Sequence, residues 1–223
     1  MKNLRRRFTL NEADIKTYLK NQAILDIIVV PEHESWRRLV SYQNDSEHDC
    51  ERFKITTADG DHLYVLFTKK GVLLKGFDHD SYLSPFQNKQ KSHAKVIYEQ
   101  VPPELLHPLI EEEDLENVTF CLWKSKDETE WNKNKPVLNI QCQSEADELD
   151  DGEKHLLSYI FSNAEDWFDW ASIYYELEEE AWDAAERLYE SGEVTRPMVM
   201  DLNPDRDYDT IIDECETLGL IEE

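Results

Sequence analysis

The chain has 223 residues, 40% of them apolar and 11% aromatic, which excludes a disordered polymer and leaves room for one large domain or two small ones. Asp and Glu number 49 against 24 Lys and Arg, a formal net charge of −25. Phosphate binding needs a surplus of cations, so direct nucleic-acid binding and attachment to anionic lipid are not expected.

The chain opens MKNLRRRF, basic but with no apolar stretch behind it, so no secretory signal is expected there. Thr9 and Glu12 have capping-box spacing, and a helix is predicted to run on through Ala13, Ile15, Tyr18 and Leu19. AILDIIVV (23–30) either extends that helix or forms a strand, and Pro31 closes it. Residues 36–42 and 51–57 read as strands around the polar QNDSEHD. The turn signal Ala58-Asp59-Gly60-Asp61 leads into HLYVLFT (62–68), Lys69-Lys70-Gly71 makes the next turn, and VLLKGF (72–77) returns, giving a β-meander. Pro102-Pro103 opens a short helix that Pro108 shortens or kinks. VTFCLWK (118–124) is a further strand, with DETEWN as turn and return, and VLNIQCQ (137–143) is a candidate to pair beside it.

SEADELDDGE (144–153) is almost free of apolar residues and reads as a linker or exposed loop. Beyond it the period changes to that of helices. Leu156, Leu157, Ile160 and Phe161 make one stripe; Trp167, Phe168, Ala171, Tyr174 and Tyr175 a second; Ala181, Trp182, Ala185, Leu188 and Tyr189 a third. Asn203 as N-cap with Pro204 at the first position is expected to start the last helix, with Ile211, Ile212, Cys215 and Leu218 on its stripe. The expected fold is therefore α+β, an antiparallel meander with flanking helices followed by an acidic all-helical region. The expected division is 1–143 as the sheet region, 144–153 as linker or loop, and 154–223 as the helical region packed on it.

The charge is segregated along the chain. Residues 1–100 hold 16 Lys and Arg against 14 Asp and Glu, whereas residues 145–223 hold 4 against 26. Such a surface repels polyanions and steers a basic protein toward it. Cys50, Cys121, Cys142 and Cys215 are scattered without a C-x-x-C pair, as expected of reduced thiols in a cytoplasmic protein, with Cys121 and Cys142 as small core residues.

Two stretches could carry chemistry. In GVLLKGFDHDSYLSPF (71–86) the polar run Asp78-His79-Asp80-Ser81 follows Gly76 directly. Two carboxylates and an imidazole could bind a divalent metal or run acid–base chemistry, with His62 or His93 as further ligands of a metal-assisted hydrolase. Neighbouring side chains on a strand point to opposite faces, so convergence needs a turn, and Gly76 suggests a bulge or bend. The alternative is a structural corner in which Asp78 and Asp80 make Asx-turns, Ser84 caps and Pro85 opens a helical turn. In EDWFDWASIYYELEEEAWDAAERLYE (165–190), Trp167 and Trp182 fall on buried stripes, while Trp170 lies at a stripe's edge beside Asp166, Asp169 and Glu176 as a candidate partner-binding face. DLNPDRDYDTIID (201–213) repeats oxygen-bearing residues like an EF-hand loop. Arg206 at its sixth position and Ile212 at its twelfth break that pattern, leaving a helix start.

The landmarks GVLLKGFDHDSYLSPF, VPPELLHPLI, VTFCLWK and WASIYYE, in that order, resemble an uncharacterised family of bacterial cytoplasmic proteins whose strand ends in G-F-D-H-[DE]-S followed by S-P-[YF]. No activity is attached to that family, so the resemblance implies no catalytic role for Asp78, His79 or Asp80. By size and charge the chain is also similar to acidic immunity proteins that neutralise a toxin. The expected function is a non-catalytic acidic protein, without a cofactor, that docks a basic protein such as a toxin.

Overall fold

Asn11 caps the first helix of the computed structural model, which describes residues 11–87, 92–110, 115–134 and 150–221. The Asn11 side chain accepts from Asp14 N at 2.9 Å, so the cap is Asn11; Thr9 lies outside the described residues. Helix α1 (Glu12–Val29) takes in AILDIIV, because neither a turn signal nor a glycine interrupts the helical pattern. Its second half is buried all round (Ala23, Ile24, Leu25, Asp26, Ile27 and Ile28), as for a helix packed on several sides.

The described residues group into two compact units, Met1–Tyr42 with Ile160–Glu223, and Gln43–Tyr159. This grouping is not the chain-order division expected above: α1 belongs with the C-terminal helices, and α4 (Glu153–Leu157) belongs with the sheet. Most of the expected linker, 144–149, and the candidate strand 137–143 with Cys142 lie outside the described residues.

The fold is α+β, with an antiparallel sheet of six strands in the order β1 to β6. These are β1 (Val40–Asp45), β2 (Cys50–Thr56), β3 (His62–Thr68), β4 (Gly71–Phe77), β5 (Phe120–Ser125) and β6 (Asn132–Lys133). Strand β1 starts later than the sequence suggests, since Trp36 and Arg37 close a 3-10 helix (Glu32–Arg37), and it runs into the stretch read as loop. Within the sheet unit, α2 (Ala94–Ile97) and α3 (Pro103–Ile110) cover one face. Ile97, Val101, Leu105 and Leu109 pack there against Tyr64, Leu66, Leu73, Cys121 and Trp123. Pro108 sits inside α3 without ending it. Every residue of β4 is buried, so both of its faces are covered.

In the other unit, α1 packs with α6 (Glu180–Ser191), α7 (Arg196–Leu202) and α8 (Tyr208–Leu218), and α5 (Ala164–Tyr174) packs on α6. Helix α8 begins at Tyr208 with Asp207 as N-cap, accepting from Thr210 N at 2.9 Å. Asn203 instead ends α7: its amide donates to Val29 O and its Oδ1 takes Asp205 N in an Asx-turn. The last helix thus starts at Tyr208 and not at the expected Pro204, because Asn203 serves the preceding helix and Pro204 the turn between.

Candidate functional site

Strands β3 and β4 pair with His62 opposite Phe77, so the chain just outside the ladder brings Asp61 beside Asp78. Asp61 Oδ1 accepts the His79 backbone N–H at 2.8 Å, and His79 Nδ1 lies 2.7 Å from the same oxygen. Asp61 Oδ2 is 3.6 Å from His155 Nε2 on α4. Asp78 Oδ1 accepts Asp80 N at 2.9 Å and Ser81 N at 3.1 Å, an Asx-turn that reverses the chain after β4. Ser81 Oγ accepts from Leu83 N and donates to Asp150 O at 2.9 Å, tying the corner to the segment before α4.

That segment is held close. Gly152 has φ +81°, and a Cβ there would lie 2.3 Å from Asp78 Cβ and 2.6 Å from its Oδ2, so only glycine lets the backbone cross the carboxylate. Lys133 on β6 pairs with Asp151 and Glu153, gripping the chain on both sides of Gly152. Gly76 makes no bulge. It stays in register with Leu63 and Phe120, and its missing side chain is filled by the Phe120 ring, 2.1 Å from where a Cβ would stand.

Burial raises the Asp78 carboxyl above its usual range, and the neighbouring Asp61 adds to that. The hydrogen bond to Asp61 raises the His79 imidazole. One ligand atom from each of Asp61, Asp78 and His79 lies within 4.8 Å of the others, the one metal-competent group among the described residues. This set differs from the expected one. Exposed Asp80 turns its Oδ1 toward His79 Nε2 at 3.3 Å and Gln87, and among the described residues no backbone N–H bond to it completes a second Asx-turn. His62 faces Lys75 Nζ at 3.3 Å, and His93 precedes α2; neither joins the group. Asp61 and His155 are the residues that sequence reasoning missed.

The other candidate face lies on α5. Asp166, Asp169, Trp170 and Ile173, spaced i, i+3, i+4 and i+7, form one stripe, with Tyr174 at its edge. Ile173 is 83% exposed, and Trp170 stacks on Tyr174 at 4.8 Å between ring centres. Asp166 also closes the helix start: its N–H donates to Asn163 Oδ1 at 2.9 Å, and Asn163 Nδ2 donates back to its carboxylate at 2.8 Å. Asp169 is exposed, and Glu176, exposed just past α5, holds a left-handed φ of 59°. Trp167 is fully buried and Trp182 partly so, edge-on to Phe168.

In the same unit a concavity of ≈ 680 Å³ is lined by Ala23, Ile27, Trp36, Arg38, Arg206 and Glu214 among others. Its cations are committed, Arg38 to Glu214 at 2.6 Å and to Val30 O, and Arg206 to Glu214 at 3.4 Å. Among the described residues no helix is long and apolar enough to cross a membrane. No family model, curated protein or solved structure matches the chain.

Proposed function

We propose that the chain is a non-catalytic, cytoplasmic acidic protein whose α5 face docks a basic surface of another protein, in the manner of an immunity protein or antitoxin. The observation that carries this reading is the exposure of Ile173 beside the Trp170–Tyr174 stack, on the same stripe as the Asp166 and Asp169 carboxylates. Stacked aromatics and an exposed branched residue supply apolar contact at little entropic cost, and carboxylates at the rim attract and orient a cationic partner. The overall charge of −25 strengthens that attraction at long range.

The test isolates the protein from its own cells with any bound partner and identifies that partner. Association kinetics are then measured between 50 and 500 mM salt. A basic partner should bind with an on-rate that falls steeply with salt, Ile173→Asp should abolish binding, and Asp169→Lys should slow association. A partner indifferent to salt and to both substitutions overturns the reading.

A further inference from the structure

Asp61 and Asp78 are 3% and 8% exposed, and their carboxylates approach closely enough to share a ligand. Two carboxylates this close repel, and a cation bound between them relieves that repulsion. Among the described residues no lysine or arginine pairs with either carboxylate; the imidazoles of His79 and His155 approach them, and the Tyr159 phenol lies within electrostatic reach of Asp61.

The hydrogen-bond pattern makes the second, independent case. Asp78 Oδ1 takes two backbone N–H groups, which fix the carboxylate in place. No described residue donates to Oδ2, which is left to act as a ligand. Asp61 and the Asp78-His79 pair stand at the paired ends of two neighbouring strands, and the Gly152 backbone presses on Asp78. The two carboxylates are therefore positioned before any ion arrives, and the imidazoles turn to meet it.

We propose that Asp61, Asp78 and His79, with the exposed His155 swinging in as fourth donor, bind one divalent ion of the zinc class. Two carboxylate oxygens and two imidazole nitrogens suit zinc, or cobalt in its place, better than calcium or magnesium, which favour all-oxygen shells. This inference does not depend on the docking reading and concerns the other structural unit.

The experiment uses the full chain, stripped with a chelator, in calorimetric titrations with zinc and in visible absorption titrations with cobalt. Expected are one saturable zinc site per chain, a rise in thermal stability that the chelator reverses, and a cobalt band characteristic of mixed nitrogen and oxygen ligands. His79→Ala and His155→Ala, both at exposed side chains, should each weaken binding by roughly tenfold or more. Asp169→Asn on α5 should leave it unchanged. Weak binding at several sites, equal in all variants and matched by calcium and magnesium, would be diffuse attraction to an acidic surface and overturns the proposal, as does no binding.

Discussion

The Tyr175 hydroxyl donates to Asp26 Oδ1 at 2.9 Å, joining residues 149 positions apart in the chain. The same hydroxyl accepts the Leu39 N–H at 3.1 Å, and Asp26 Oδ2 accepts the Val40 N–H at 2.7 Å. One fully buried carboxylate and one phenol thus hold α1, the start of β1 and the end of α5 together. Tyr175→Phe removes a donor and an acceptor inside the core, and chemical denaturation should show a loss of about 1–3 kcal/mol.

Burial pushes the Asp26 carboxyl up to about 7 against its hydrogen bonds to Val40 and Tyr175. The folded state then keeps a proton that the unfolded chain releases near pH 4, so this contribution to stability is full below pH 4 and is lost as pH rises through about 7. Its size is on the order of 4 kcal/mol. Urea melts from pH 4 to 8 should show a steeper fall for the native chain than for Asp26→Asn, in which that titration is absent. Parallel curves would disprove it.

Gly152 and Gly192 both hold positive φ, +81° and +70°, but only Gly152 has a neighbour within reach of a Cβ. Gly192→Ala should therefore cost only the backbone strain, about 1 kcal/mol. Gly152→Ala adds a clash with the Asp78 carboxylate and should cost clearly more. Thermal melts of the two variants side by side separate strain from collision.

Charge changes on α5 should act differently at neighbouring positions. Asp166 reciprocates the Asn163 cap at the positive end of the helix, so Asp166→Lys should lower stability by about 1 kcal/mol as well as weaken docking. Asp169 is exposed, and Asp169→Lys should change stability by less than about 0.5 kcal/mol. Denaturation of both variants, run before any binding assay, identifies which one reports on docking alone.

Glu176 occupies the left-handed region, where a side chain is strained. Glu176→Gly should leave stability unchanged or raise it by a few tenths to about 1 kcal/mol, since the strain is relieved at the cost of a freer unfolded chain. A loss above 1 kcal/mol, measured by denaturation, would mean that the carboxylate has a structural role.

Much of the sheet was legible because its signals are local. The Lys69-Lys70 turn sets Thr68 opposite Gly71, and counting outward from that pair reaches His62 with Phe77 and then Asp61 beside Asp78. The key neighbour of the polar run could therefore have been found by register alone. His155 could not: it arrives on a separate segment after 144–149, and no spacing rule links that segment to β4. Gly76 is ambiguous in the sequence for a related reason. A glycine in a strand signals either a bulge or a close neighbour, and the neighbour, Phe120, is 44 positions further along the chain. The last helix was misplaced because Asn203 and Asp207 are both good caps, and only the contact of Asn203 with Val29 O shows which helix each serves.

The sheet unit is one continuous run of chain, whereas the helical unit is assembled from the two ends of the described chain. During synthesis α1 leaves the ribosome before α6 to α8, with Ile15, Leu19, Ile24, Leu25 and Ile28 destined for burial but without the helices that will cover them. The meander can close hairpin by hairpin as it emerges. Helix α1 must wait, on the order of ten seconds at ordinary elongation rates, until α6 to α8 have been made. Until then the apolar stripe of α1 is uncovered, the kind of surface through which nascent chains aggregate.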